Sequence, residues 1–111
     1  MSKFEECMDT YRAEFKKLGI NHDDDLLVKV AKGCGPSIYN KDASTVAGSD
    51  QAELDTVKNN FLIGKLGLSD GPALDSAIAK TIDTMGASNR NKYRAMFYYL
   101  LTKELGKESA Y

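Results

Sequence analysis

Two cysteines, two prolines, one histidine and no tryptophan in 111 residues leave several kinds of protein out of reach. Cys7 and Cys34 are too few for a disulfide framework and match no metal-ligand spacing, so both are expected as free thiols in a reducing cytosol. A single histidine, His22, excludes a His-rich metal centre. The longest fully apolar run, Ala95 to Leu101, is far too short to span a bilayer. Met-Ser-Lys-Phe-Glu-Glu at the start has no apolar stretch behind it, so no signal peptide is expected and the cytoplasm is the expected location. No segment alternates apolar and polar residues with β-branched enrichment, so no sheet is expected. Paired-carboxylate, dinucleotide and nucleophile-elbow signatures are missing too, which gives no reason to propose an enzyme or a cofactor.

The formal net charge is −1, which argues against a dedicated polyanion binder. The charge is unevenly spread. Residues 1–85 hold ten basic and fourteen acidic side chains, whereas residues 86–111 hold five basic and two acidic. With 42% hydrophobic residues the chain carries enough apolar material for a core, and its length suits a single domain over 1–111.

Helical periodicity runs nearly throughout. Phe4, Cys7, Met8, Tyr11, Phe15 and Leu18 form one stripe that stops at Gly19. A second, shorter helix follows the acidic cap Asp23–Asp25, carries Leu26, Leu27, Val30 and Ala31, and stops at Gly33. Residues 33–49 form the longest irregular connection, with one helical turn near Ile38–Tyr39. The third helix starts at Ser49 or Asp50, where Asp50 and Glu53 have capping-box spacing, and runs to about Lys65. Asp70-Gly-Pro opens the fourth, whose buried face is Leu74, Ala77, Ile78, Ile82 and Met85. Ser88 is read as the cap of a fifth helix closing near Leu105. Lys17-Leu-Gly-Ile repeats as Lys65-Leu-Gly-Leu at an offset of 48 residues, with Leu26 on Leu74, Val30 on Ile78 and Ala31 on Ala79. The expected fold is all-α: a compact array of about five short helices crossing at steep angles, with two related helix–Gly–helix units as one reading of the echo.

The Ser88 segment breaks a local rule. Helix N-termini favour acidic side chains, yet Arg90, Lys92 and Arg94 crowd this one and no acid stands between Gly86 and Arg94. Something anionic has to compensate. Ion pairs with acids of the same fold are the plainest answer. Alternatively, Ser88, Asn89, Arg90, Asn91, Lys92 and Arg94 form an anion- or partner-binding site, for a phosphate-bearing ligand or an acidic protein surface. The short turn after the fourth helix also resembles a helix-turn-helix, which makes nucleic acid a competing partner. Beyond this turn, Tyr93, Met96, Phe97 and Leu100 line one face while Tyr98 and Tyr99 point elsewhere; a central core helix is favoured over a homodimer contact through the tyrosine pair.

Other stretches invite chemistry and are better explained by structure. His22 before Asp23, Asp24 and Asp25 suggests a metal, but the acids suit a helix cap. Asp42 to Glu53 offers oxygen ligands in a calcium-loop pattern, but Val46 takes the fifth place, where a ligand belongs, and Gly48 stands at the seventh place instead of the sixth, where the sharp turn belongs. Gly33-Cys-Gly-Pro-Ser has no oriented Cys–His pair, and helix-stop chemistry accounts for its glycines. Asn59 and Asn60, inside a helix, are read as tying down the long loop, in preference to forming one polar patch with that loop and the Ser88 turn.

Gly35-Pro-Ser-Ile-Tyr-Asn-Lys-Asp, Val57-Lys-Asn-Asn-Phe-Leu-Ile, Ser88-Asn-Arg-Asn-Lys-Tyr-Arg-Ala, Phe97-Tyr-Tyr-Leu-Leu-Thr-Lys and Lys107-Glu-Ser-Ala-Tyr together resemble a family of small bacterial proteins, the domain of unknown function 2853. The resemblance spans nearly the whole chain. It implies a bacterial, helical, single-domain protein and carries over no catalytic residue, cofactor or partner. A non-enzymatic binding or interaction module is the expected function, with a helix-turn-helix-like nucleic-acid binder and an enzyme of unrecognised type as alternatives.

Overall fold

A computed structural model describes residues 3–40, 43–86, 88–89 and 92–111. Lys41, Asp42, Arg90 and Asn91, all named above, lie outside the described residues. The chain is all-helical: α1 (Lys3–Lys17), α2 (Asp24–Cys34), a 3-10 turn (Gly35–Tyr39), α3 (Gln51–Thr56) running on into a π-helix (Val57–Ile63), α4 (Pro72–Met85), α5 (Arg94–Glu104) and a last 3-10 turn (Glu108–Ala110). Among the described residues there is no strand, only a bridge between Thr45 and Tyr93. The radius of gyration is 12.9 Å.

Helix α5 is the centre of the core. It buries Ala95, Met96, Phe97, Tyr99, Leu101 and Thr102, and it packs against α2 and α4. Met8, Tyr11 and Phe15 of α1, Leu27 and Val30 of α2, Val57 and Leu62 of the π-helix and Met85 of α4 join the same cluster. Tyr99 belongs to this interior: its ring meets Phe15 edge-on at 5.3 Å, and its hydroxyl accepts the Asp23 N–H at 2.7 Å. That bond fixes the N-terminus of α2 to α5 across 76 residues of sequence.

The aspartates after His22 are spent locally. Asp23 caps α2, its carboxylate accepting the N–H groups of Asp25 and Leu26. Asp24 takes both Nε and Nη2 of Arg12, at 2.8 and 3.0 Å. This contact, joined by the His22 ring, holds the Asp24 carboxyl below its usual range.

The 48-residue echo is visible in the backbone. Gly19 and Gly67 take the left-handed φ values +72° and +71° that end their helices, and the next helices start at Asp24 and Pro72. The two units differ just before the glycine. Ile20 N–H reaches back to Phe15, whereas Leu68 N–H reaches back to Leu62, one residue further. The π-helix accommodates that extra residue.

Two expectations about element ends are corrected. The third helix does not continue as α-helix to Lys65; it widens into the π-helix after Thr56. The fifth helix does not open at Ser88 but at Arg94, because the segment before it is drawn into pairing with a distant loop. Val46 N–H donates to Lys92 O and Arg94 N–H to Ser44 O, both at 2.7 Å. Tertiary hydrogen bonds have overridden the local cap signal.

The π-helix makes a sharp demand at Gly64. A Cβ built there would stand 2.6 Å from the Asn60 carbonyl oxygen. In an ordinary helix interior, glycine to alanine stabilises by about 1 kcal/mol. Here Gly64→Ala is expected to destabilise by roughly 1–3 kcal/mol in urea unfolding, because the carbonyl has nowhere to go. Stabilisation instead would mean that 57–63 is regular α-helix.

Candidate functional site

The structure separates the basic residues that sequence places together. Ser88 is exposed. The Asn89 side chain donates to Met85 O at 3.0 Å and so closes the end of α4. Lys92 is 4% exposed; its ammonium donates to Asn89 O, and its aliphatic stem lies where a side chain on Gly48 would stand. These three line a hollow with the 45–49 loop. Arg94 points elsewhere.

Arg94 is the compensated cation of the anomalous turn. Its Nη2 meets Glu53 Oε1 at 2.6 Å, its Nε donates to Ala43 O at 2.7 Å, and its Nη1 donates to Tyr98 OH at 2.9 Å. Burial works to lower the Arg94 pKa, but the hydrogen bonds to Glu53 and Tyr98 outweigh it and raise it. Glu53 therefore serves a distant arginine and not a capping box. The first N–H of the helix is likewise met by the protein itself, since Arg94 N–H donates to Ser44 O. The first turn of α5 is interior, with Ala95, Met96 and Phe97 all 0% exposed, whereas a recognition helix presents its first turn to the groove. Among the described residues, it is Arg94 that ties down the long loop; Asn59 and Asn60 are both exposed.

On the other side of Arg94 lies a cleft of about 400 Å³, within the range of small-molecule sites. The 3-10 turn contributes Ser37, the π-helix Asn60 and Phe61, α5 Arg94 and Tyr98, and the C-terminal segment Tyr111. Each of the five motifs that carry the family resemblance thus sends at least one residue here. Lys65 completes the wall: it is exposed, and its ammonium stands 4.8 Å from the centre of the Tyr111 ring. Phe61 stacks on Tyr98 with ring centres 3.9 Å apart and 12° between planes, which fixes the Tyr98 hydroxyl beside Arg94. Burial raises the pKa of both Tyr98 and Tyr111, so each keeps its phenolic proton at neutral pH. Two cations and no carboxylate are among the described lining residues.

Cys34 opens onto the same cleft. Burial pushes its thiol up to about 11, the wrong direction for a thiolate nucleophile. Among the described residues no group of three or more His, Cys, Asp or Glu side chains is placed to hold a metal. Sequence reasoning missed Lys65 and Tyr111 as site residues and Glu53 as the partner of Arg94. Tyr111 lies in a segment already singled out by its motif; Lys65 and Glu53 gave no signal beyond helix-end and capping patterns.

The Arg94–Glu53 pair, with side chains 14% and 24% exposed, is shielded enough to matter. A double-mutant cycle of Arg94→Ala and Glu53→Ala is expected to give a coupling energy of about 1.5–3 kcal/mol by denaturant unfolding. A coupling near zero would place the pair among solvent-screened surface contacts.

Among the described residues, no helix is long and apolar enough to cross a membrane. No curated protein matches the chain. A family model described as "Protein of unknown function (DUF2853)" matches residues 10–109, nearly the full length, and the chain belongs to that family.

Proposed function

We propose that this chain is a non-enzymatic binding module whose working site is the Arg94–Lys65 cleft, and that its ligand is a small molecule bearing carboxylate or phosphate oxygens. The observation that carries this reading is the donor-rich wall: Lys65, Arg94, Asn60 and two protonated tyrosines face one space without a carboxylate among its described residues. Arg94, its charge balanced by Glu53, orients the Tyr98 hydroxyl, while Lys65, exposed and seated over the Tyr111 ring, is the cation a ligand reaches first. The anion expected at the Ser88 turn is thereby moved to the far side of Arg94, while Ser88, Asn89 and Lys92 are read as closing the loop. The same reading places a single folded domain over 1–111 in the cytoplasm of a bacterium. The two free thiols suit a reducing compartment, and the family resemblance suits the source.

The test is an NMR titration of the intact protein with inorganic phosphate and with citrate, repeated with Lys65→Glu. Saturable shifts confined to residues around Lys65, Arg94, Tyr98 and Tyr111 are expected with at least one anion, weakening with salt. Lys65→Glu should abolish them while leaving stability within about 0.5 kcal/mol, since Lys65 is a surface side chain. Shifts unaffected by Lys65→Glu, or no binding of either anion at low salt, would overturn the reading. Binding of mixed DNA or RNA oligonucleotides in preference to both anions would replace it with the nucleic-acid alternative.

A further inference from the structure

A second concavity lies away from the anion cleft, between α3 and α4. Helix α3 is unusual in burying none of its own side chains, although Leu54 on it is apolar. Leu54 instead faces a trough of about 470 Å³, whose opposite wall is Ile78, Ala79 and Ile82 of α4. The spacing on the two walls matches: positions 51, 54, 55 and 58 on one side, positions 75, 78, 79 and 82 on the other. Both sets follow the 0, 3, 4, 7 pattern of one helical face, so the trough is about two turns long, roughly 10 Å. The walls meet where the π-helix packs on α4.

The charge on this trough has one sign. Lys58 stands at its end, but its ammonium is clasped by Asp70 at 2.8 Å and Asp75 at 3.2 Å. The lysine side chain is 18% exposed, against 69% and 64% for its two carboxylate partners. The trio therefore presents a net negative charge to solvent. Asp55, also exposed, adds a second on the α3 wall and, among the described residues, accepts a neutral amide hydrogen bond from Gln51 at 2.9 Å. An apolar floor of helical pitch with acidic edges is complementary to an amphipathic helix with basic flanks.

We infer that the α3–α4 trough docks a basic amphipathic helix of a partner protein. The helix lays apolar residues spaced i, i+3 or i+4, and i+7 over Leu54, Ala79 and Ile82. Its lysines or arginines reach Asp55 and the Asp70–Asp75 pair. A second copy of this chain is the poorer occupant, because a symmetric contact would bring the acidic edges of the two copies together. The surface is independent of the anion cleft, so the chain joins a small ligand and a protein partner on different faces.

The test is selection of helical peptides from a displayed random library on the intact protein, with counter-selection on Ala79→Arg. Ala79 is exposed, so the arginine fills the trough without entering the core. Enriched peptides are expected to carry the apolar spacing with basic flanks. They should lose at least about tenfold in affinity to Ala79→Arg, and lose affinity again to Asp55→Lys, which leaves the apolar floor intact. No enrichment, acidic flanks, or peptides indifferent to both variants would overturn the inference. Sedimentation equilibrium on the protein alone decides the remaining case: a dimer abolished by Ala79→Arg would give the trough to a second copy.

Discussion

The guanidinium of Arg94 joins four parts of the chain that are far apart in sequence: the long loop through Ala43 O, α3 through Glu53, α5 on which it sits, and the π-helix through Tyr98 and its stack on Phe61. Few side chains can do this. The planar fork supplies several donors in fixed directions and stays charged when half-buried, whereas a lysine would present one point charge. With Arg94 in place, Ser44 O takes the first N–H of α5, Glu53 is drawn away from capping its own helix, and Tyr98 stands in the cleft wall. The positive charge of Arg94 is thus answered from within by Glu53, and the proposed anion cleft lies on the opposite side of the same arginine.

Helical periodicity makes most of the architecture legible. The stripe of Phe4, Met8, Tyr11 and Phe15 predicts α1 to within a residue or two, and Asp23 and Pro72 mark the starts of α2 and α4 because capping residues act locally. The start of α5 was missed because of contact from outside the window. Ser88 is a good cap in isolation, but the backbone of 92–94 pairs with 44–46, and the helix waits until Arg94. The widening after Thr56 is equally invisible, since π-helical residues have no composition of their own and Gly64 reads as a routine helix stop.

The site was less legible than the fold. The basic turn directs attention to Arg94, because an electrostatic rule broken locally demands a partner somewhere, and for Arg94 that partner is Glu53. It could not say that Lys92 would be buried or that Lys65 would stand across from Arg94, 29 positions earlier in the chain. All five motifs behind the family resemblance reach the proposed cleft. The π-helix connects the two proposed surfaces: Asn60 and Phe61 face the anion cleft, while Lys58 closes the end of the α3–α4 trough. Its wider turn sets the positions of both.

The central claim is that Arg94 holds the loop against the start of α5, and amide hydrogen exchange on the intact protein measures this directly. The amides of Val46 and Arg94 donate across that junction and should exchange slowly in the parent protein, as backbone groups in stable hydrogen bonds do. In an Arg94→Ala variant that retains its helices, the Val46 amide and its junction partner at position 94 should become fast while the amides of α1 and α2 stay protected. Unchanged protection of both amides in that variant would contradict the account, because the loop would then be held by something other than Arg94.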